Sequence, residues 1–186
     1  MIDQEILTKL DIGIQEDSTL FFEMVDKVVK EQSSQLDYLM EDLREAVTKK
    51  DAIDTDALER YYAELSNMIY FLMDKVERLN VFADLSKAQM KESYNMAYLE
   101  FSSEKDEKGK SLRTVNENTS LAESKSKYDS ILNTVYDHAY KTLRSKIDMA
   151  LEMVNTLKNI LKRRIQEEYI SFSMSNLKNN IEDEQE

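Results

Sequence analysis

The chain has 186 residues, of which 41% are apolar and 33% are charged, and its formal net charge is −12 at pH 7. A chain of this length and apolar content suits one domain or one extended bundle. It contains no cysteine, which excludes a disulfide framework, a thiolate zinc site and a cysteine nucleophile. The apolar runs fall far short of the ~20 residues that span a bilayer, and Asp3 and Glu5 argue against a signal peptide. We therefore expect a soluble, cytoplasmic protein that makes no membrane contact.

The sequence is poor in the residues that interrupt helices. Proline is absent, and the only two glycines are Gly13 and Gly109. Because glycine and proline are the strongest local helix breakers, nothing between these two positions forces the chain to turn. The sequence therefore predicts an all-α fold without β-sheet, an elongated bundle of long antiparallel helices with coiled-coil-like seams.

The first part of the chain predicts two helical pieces. A short amphipathic piece, Ile2 to Leu10, ends before Gly13. Ser18 then offers an N-cap for a helix from Thr19 to about Lys49. This helix repeats at spacings of three and four residues, as coiled-coil seams do, through Phe22, Val25, Val29, Gln32, Leu36, Leu39, Leu43 and Ala46. Gln32 is the polar member, and such a residue sets register or partner choice more often than it performs chemistry.

A second, longer helix is predicted to begin at a capping box formed by Asp56 and Glu59. It carries the most regular apolar repeat of the chain, a coiled-coil seam that we interpret as an oligomer seam, although the pattern fits closure within one chain as well as between chains: Leu58, Tyr62, Leu65, Ile69, Leu72, Val76 and Leu79. The stripe continues with smaller residues at Ala83, Ser86, Met90, Ser93 and Ala97. A helix of about 45 residues is ~68 Å long, whereas a globule of this chain length is roughly 40 Å across. The bundle must be elongated or its end must pack on another copy, so we expect a homo-oligomer.

The apolar pattern fails over residues 102–118, which contain Gly109 and predict a flexible loop where the chain reverses. Ser120 and Glu123 then resemble a capping box for a last long helix that ends near Phe172. Its apolar stripe comprises Tyr128, Leu132, Val135, Ala139, Leu143, Ile147, Ala150, Val154, Leu157 and Leu161. The chain thus divides into an N-terminal helical region (1–50), a long-helix hairpin core (51–175) and an acidic disordered tail (176–186).

Charge is distributed unevenly along the chain. Residues 1–104 carry a net charge of −12, residues 105–178 carry +4 and residues 179–186 carry −4. An acidic protein would ordinarily repel nucleic acid, since phosphates are neutralised by Lys and Arg. The polarity along the sequence nevertheless allows a basic face.

No residue cluster predicts an enzyme, a metal site or a cofactor. The single histidine, His138, cannot supply the two Glu-x-x-His motifs of a di-metal bundle. His138 and Lys141 have the spacing of a phosphotransfer histidine, but Thr142 stands where a glycine is usual, and we interpret His138 as an ordinary surface or seam residue. Two isolated glycines cannot form a phosphate-binding loop.

A basic cluster around the loop is the one candidate for a nucleic-acid site. Tyr94, Tyr98 and Phe101 precede this loop, and a single-strand binder needs positive charges for the backbone and rings for base stacking. The alternative is that these rings are core and the lysines only make the loop soluble. The candidate basic residues are Lys87, Lys91, Lys105, Lys108, Lys110, Arg113, Lys125 and Lys127.

From Ile53 to Tyr169 the layout resembles that of the UvsY-type recombination mediators of tailed phages. A long helix opens on Ile53-Asp54-Thr55 and ends in Leu99-Glu100-Phe101. A polar loop follows, and a segment rich in Lys, Thr and Ser, from Thr114 to Tyr128, leads into a last helix with basic residues such as Arg163 and Arg164. This is a resemblance of pattern and length.

The resemblance implies a ring-forming protein that binds single-stranded DNA and helps to load a RecA-like recombinase onto strands covered by single-strand-binding protein. The family places a lysine and an arginine near the end of its first long helix, whereas Tyr94 to Tyr98 reads YNMAY here. Either Lys87 and Lys91 or the loop lysines replace that pair, or DNA binding is weak or absent. The alternative function is an acidic helical interaction module or inhibitor that mimics nucleic acid and binds no DNA, for which the −12 over residues 1–104 argues.

Overall fold

The computed structural model describes the backbone of residues 4–48 and 53–183 and the side chains of residues 19–48 and 53–174. Over these ranges the chain forms four helices: α1 (Gln4–Thr48), α2 (Thr55–Ser103), α3 (Val115–Lys125) and α4 (Lys127–Asp183). No β-strand occurs within them, so the predicted all-α class is confirmed. None of the described helices is long and apolar enough to cross a membrane.

The helices pack as two compact units. The first unit contains Met1–Ser33 and Asp74–Arg144, and the second contains Ser34–Met73 and Ser145–Glu186. Each unit therefore takes one segment from each of α1, α2 and α4, and the first also contains α3 and the loop before it. This division cuts across the helices, whereas the sequence-based division into 1–50, 51–175 and 176–186 runs between them and stays a prediction.

The first helix is continuous where two pieces were expected. α1 runs from Gln4 to Thr48 through Gly13 and Ser18, so the predicted break and the predicted N-cap at Ser18 are wrong. A glycine inside a helix costs about 1 kcal/mol relative to alanine. Extending a helix that already exists adds a backbone hydrogen bond with each residue, and a single glycine among good helix formers does not outweigh that gain.

Apolar side chains of α1 and α4 form the core of the first unit. Val25 and Val29 pack with Val135 and Ala139, and the partly buried Phe21 and Val28 cover this cluster. Phe22, a predicted seam residue, is 60% exposed, and the fully buried polar residue of α1 is Ser33 rather than the half-buried Gln32. The buried position can thus differ by one residue from the predicted one, because an apolar repeat of 3.5 residues drifts against a helix of 3.6 residues per turn.

The predicted oligomer seam on α2 is buried within a single chain. Leu65 and Val76 are fully buried, the other seam leucines and Ile69 are nearly so, and Tyr62 is half-buried. The small residues Ala83, Ser86 and Ala97 continue this buried stripe. The seam residues are therefore core of one chain, which answers the question of closure within or between chains that the sequence pattern left open. Phe71 and Phe82 of the same helix are more than half exposed.

Polar contacts supplement the apolar core of the second unit. The Lys146 ammonium lies 2.5 and 2.6 Å from the two carboxylate oxygens of Asp37. The Tyr61 hydroxyl donates a 2.7 Å hydrogen bond to Asp42, and this bond to a carboxylate is the main reason that the pKa of Tyr61 is raised. Both contacts join α1 to another helix of the same unit.

Neither predicted capping box begins a helix, because α2 begins one residue before Asp56 and Ser120 falls inside a separate short helix, α3. The first α2 hydrogen bond runs from the Leu58 N–H to the Asp54 carbonyl, at 3.1 Å, so Asp56 lies inside the first turn. Ser120 lies in the middle of α3, which begins at Val115.

The last helix begins later and ends later than expected. α4 starts at Lys127 and continues to Asp183, past the predicted end near Phe172. Tyr128, expected on the stripe, is 74% exposed. The remaining stripe residues of α4 from Val135 to Leu161 are buried or half-buried as predicted.

Replacing Leu65 by Ala tests whether the α2 seam closes within one chain. Leu65 is fully buried, so its truncation should lower the free energy of unfolding by about 2–5 kcal/mol. The loss should be the same at low and high protein concentration, as measured by urea unfolding followed by circular dichroism. Phe71→Ala, at a position 68% exposed, is the control and should change the free energy by less than about 0.5 kcal/mol. A loss in free energy of unfolding that grows with protein concentration would instead show that the seam is an interface between copies.

Candidate nucleic-acid interface

The loop between α2 and α3 is a hydrogen-bonded turn built around Asp106. Its carboxylate accepts from the backbone N–H groups of Lys108 and Lys110, at 2.9 and 2.8 Å, as Asp side chains commonly do in turns. Gly109 adopts φ +77°, a conformation that side chains disfavour, and its N–H donates to the Asp106 carbonyl at 2.9 Å. The chain therefore reverses at Gly109 as predicted. The turn leaves Lys105, Lys108 and Lys110 exposed.

A capping box fixes the start of α3. The Thr114 N–H donates to the Glu117 carboxylate at 2.7 Å, and the Glu117 N–H donates to the Thr114 hydroxyl oxygen at 3.3 Å. The first of these bonds, with the hydrogen bond from the Thr114 hydroxyl, holds the pKa of Glu117 below its ordinary value. The box anchors the loop next to the basic residues.

Two of the predicted DNA-binding residues, Arg113 and Lys125, are already paired. Their cationic groups lie 5.3 and 5.5 Å from the centre of the Phe101 ring. Arg113 forms an ion pair with Glu104 at 2.7 Å, and Lys125 forms one with Glu100. Both cations therefore contact the end of α2, Arg113 in a half-buried ion pair and Lys125 in an exposed one.

The break between α3 and α4 lies beside an open groove. Ser126 is buried, and its hydroxyl donates to the Ala122 carbonyl at 2.9 Å. The groove has a volume of about 650 Å³ and lies between α2 and this junction, lined by Met90, Lys91, Tyr94, Asn95, Glu123, Ser126, Lys127, Ser130 and Ile131. Serines on the junction side add little bulk, while Met90 and Ile131 supply apolar surface.

The groove brings together two exposed lysines and an aromatic ring. Lys91 reaches it from α2 and Lys127 from the first residue of α4. Within the described part of the chain neither lysine forms an ion pair. Tyr94 lines the groove and stacks on Tyr98, with ring centres 6.3 Å apart and planes inclined by 23°. Both rings are half-buried, so they are partly core and partly available for stacking.

The structure separates the eight predicted residues into three sets. Lys91 and Lys127 share the groove, and Lys87 lies one helical turn before Lys91 on α2. Arg113 and Lys125 hold Phe101, and the three other lysines lie on the turn. Residues 74–144 contain twelve basic and twelve acidic side chains, so this part of the first unit has no net charge. Any attraction for phosphate is therefore local.

His138 has a packing role at the surface of the first unit. Its ring meets that of Phe21 edge-on, with centres 5.5 Å apart and planes at 90°. The Lys141 ammonium lies 2.7 Å from the Asp137 carboxylate. Among the described residues, no group of three or more His, Asp and Glu side chains is arranged to hold a metal ion.

A second groove, in the second unit, was missed at the sequence level. It has a volume of about 390 Å³ and is lined by Tyr62, Lys158, Leu161, Lys162, Ile165 and Gln166. One sequence signal could have indicated it. Residues 158–164 contain four basic side chains, and no acidic residue occurs between Met153 and Gln166.

Comparison with known proteins adds no relative. No protein-family model, no curated protein and no solved structure matches this chain. The geometry of the first unit therefore carries the functional argument, together with the pattern resemblance of residues 53–169.

Acidification tests the capping box. Because the pKa of folded Glu117 is lowered, its contribution to stability is present above its unfolded-state pKa and is lost as pH falls through the lowered folded value. The difference in melting temperature between the native chain and Glu117→Ala should be constant near neutral pH and should narrow below about pH 4.5. Glu107→Ala, at an exposed position in the loop, is the control. A difference that does not depend on pH would contradict the assignment.

Proposed function

We propose that this chain binds single-stranded DNA along the groove of its first unit and acts as a recombination mediator that assists loading of a RecA-like recombinase. One observation carries the DNA-binding part: Lys91, Lys127 and Tyr94 line one groove, and neither lysine has an ion-pair partner within the described residues. The resemblance of residues 53–169 to recombination mediators supports the mediator part. Single-strand-binding protein and the recombinase are the protein partners that it suggests.

The groove supplies both interactions that a sequence-tolerant single-strand binder uses. Ammonium groups neutralise phosphates and release counterions. An aromatic face stacks on any base, because every base has a π-face. Lys91 provides a charge from α2 and Lys127 one from α4, and Tyr94 of α2 provides a ring in the same groove. A duplex would not use the ring, since its bases are already stacked.

Further lysines extend the basic surface away from the groove. Lys87 is exposed one turn along α2, and Lys105, Lys108 and Lys110 are exposed on the turn. In the proposal they contact successive phosphates with modest affinity each. Arg113 and Lys125 are not counted among the phosphate contacts, because they form ion pairs with Glu104 and Glu100 at the end of α2.

The alternative function, an acidic interaction protein that mimics nucleic acid, is favoured by the exposed carboxylates of α1. The acidic residues of α1 whose side chains are described are all exposed: Glu23, Asp26, Glu31, Asp37, Glu41, Asp42 and Glu45. Binding of single-stranded DNA at low salt separates the two functions. A mimic does not bind, whereas a mediator binds and loses affinity steeply as salt rises.

Removing the two groove lysines tests the proposed site. Each phosphate contact on a single strand contributes ~0.7 to the slope of log K against log salt concentration, so Lys91→Ala with Lys127→Ala should lower that slope by about 1.4. Fluorescence anisotropy of a labelled oligothymidine across a salt series measures it.

The matched control for the groove lysines is Lys27→Ala with Lys30→Ala. This pair removes the same charge from exposed positions on α1 of the same unit. Its slope should stay at the native value. Equal losses in both double variants would show that binding follows net charge and not the groove, and no binding by the native chain at low salt would overturn the proposal.

Changing the ring tests base stacking separately from charge. Tyr94→Leu keeps apolar bulk at a half-buried position but removes the aromatic face, and one stacked base is worth roughly 1–3 kcal/mol. Affinity should therefore fall by roughly 5- to 150-fold with an unchanged salt slope. Tyr94→Phe retains the ring and should bind like the native chain. Equal affinity of the leucine and phenylalanine variants would exclude stacking at this position.

A further inference from the structure

The groove of the second unit joins an apolar floor to unpaired positive charge. It lies between α2 and α4, has a volume of about 390 Å³ and is lined by Tyr62, Lys158, Leu161, Lys162, Ile165 and Gln166. Its inner surface is almost wholly apolar, and its size lies near the lower end of the range for ligand-binding clefts. Binding of DNA in the first unit does not account for this groove.

Two lysines at the groove are the available cations of a purely basic segment. Residues 158–164 contain four basic side chains and no acidic one. Arg164 donates a hydrogen bond to a backbone carbonyl just before α2, and Arg163 lies 3.7 Å from a glutamate one turn along α4. Lys158 and Lys162 are exposed and form no ion pair within the described residues. Their charges can therefore be neutralised by a ligand.

An uncovered apolar stripe continues the floor of the groove along α4. Tyr169 and Phe172 follow Ile165 at helical spacings that keep the three side chains on one face, and each is more than half exposed. The stripe is uncovered because α4 continues past the first residue of α2. From Lys158 to Phe172 the surface is ~21 Å long, or about four helical turns. A contiguous apolar group of this kind marks an interaction surface.

We propose that this surface docks an acidic amphipathic helix of another protein. The helix lies along α4 from Lys158 to Phe172, places a large apolar side chain in the groove and sets carboxylates against Lys158 and Lys162. A segment of about 15 residues covers the surface, because two helices that lie side by side advance equally, by 1.5 Å per residue. An amphipathic helix laid into an apolar groove is a recurring mode of recognition.

Charge complementarity fixes the sign of the partner. Between Met153 and Gln166, α4 has no acidic side chain. Asp42 and Glu64 line a separate groove beside Tyr61. Opposite charges across an interface steer association and reject wrong partners, so an acidic helix is accepted here and a basic one is repelled.

The apolar floor fixes the class of the partner. Leu161 and Ile165 offer no hydrogen-bond partner, and a polar group buried without one costs free energy. A helix satisfies its backbone internally and presents only side chains. An extended peptide would bury backbone N–H and C=O groups here, and a nucleic acid would bury the polar edges of its bases. The groove of the first unit differs, because serines and Asn95 line it beside Tyr94.

Fluorescence anisotropy of a labelled peptide tests the docking. The probe is a peptide of about 18 residues in heptads, with leucine at the first and fourth positions, glutamate at the positions beside them and alanine elsewhere. Mutual repulsion of its glutamates keeps it monomeric. It should bind the native chain, whereas the same peptide with lysine in place of glutamate should not. Failure of the glutamate peptide to bind, or equal binding of both peptides, would overturn the proposal.

A matched pair of double variants locates the charges that the peptide uses. Lys158→Gln with Lys162→Gln should weaken binding of the glutamate peptide about 10-fold, because each exposed ion pair contributes modestly. The control, Lys27→Gln with Lys30→Gln, removes the same charge from exposed positions on α1 and should leave the affinity unchanged. Equal losses in the two variants would show that the peptide follows net charge and not the groove.

A matched pair of single variants locates the apolar contact. Ile165→Ser should weaken peptide binding about 10-fold, since it removes apolar surface that the helix covers. Ile170→Ser is the control, because Ile170 is on the same helix and is 54% exposed against 55% for Ile165, but does not line the groove. Circular dichroism and melting temperature should stay native-like in both variants, because both side chains are exposed. Equal losses of affinity would contradict docking at the groove.

Two further measurements distinguish other occupants of the groove. Oligothymidine binding by Lys158→Gln with Lys162→Gln should keep the native salt slope, and a lowered slope would identify a phosphate site and overturn the proposal. In sedimentation velocity this variant should behave as the native chain does. A native dimer that becomes monomeric in the variant would identify a second copy as the occupant, which also overturns the proposal.

The groove variant of the first unit separates this proposal from DNA binding. Lys91→Ala with Lys127→Ala should lose affinity for oligothymidine and bind the glutamate peptide like the native chain. A loss of peptide binding in this variant would place the peptide in the first unit and contradict docking on α4.

Discussion

Burial of the α2 seam within one chain is the constraint on which the rest of the structure depends. Leu65 and Val76 are fully buried, and Leu58, Ile69, Leu72 and Leu79 nearly so. Each fully buried aliphatic side chain contributes about 1.5–3 kcal/mol, so this row fixes the rotation of α2 about its axis. Every other side chain of α2 takes its exposure from that rotation. Tyr94 and Lys91 reach the groove for this reason, and Phe71 points to solvent.

A change in side-chain size along the same stripe separates packing from binding. Large residues fill the stripe up to Leu79, and small ones follow at Ala83, Ser86 and Ala97. The groove is lined by residues of this stretch of α2 and of the junction where α3 ends at Lys125 and α4 begins at Lys127. The helix break, together with the small side chains of this stretch of α2, leaves the groove open. A continuous helix with large side chains at Ser126 and Ser130 would fill it.

Local ion pairing, and not the net charge, decides which basic side chains are available to bind phosphate. Residues 74–144 are neutral in sum, yet Arg113 and Lys125 are held over Phe101 by Glu104 and Glu100 while Lys91 and Lys127 remain unpaired within the described chain. The same reasoning applies to α4, where residues 158–164 contain four basic side chains and no acidic one. An acidic total thus coexists with two basic surfaces.

The sequence by itself determined the helical class, the buried stripes of α2 and α4 and the reversal at Gly109, because apolar periodicity and helix breakers are local properties of the chain. It placed a capping box at Ser120 and Glu123 and missed α3, since Thr114 and Glu117 have the same spacing and only the backbone shows which pair forms the cap. It also left open whether the α2 seam closes within one chain or between chains, because periodicity reveals an apolar face but not which helix covers it. Only the tertiary structure decided that this seam is covered within the chain, that two of the eight predicted cations are paired, and that Ile165 and Phe172 are left exposed. Those outcomes depend on side chains far apart in sequence, whose contacts no local pattern records.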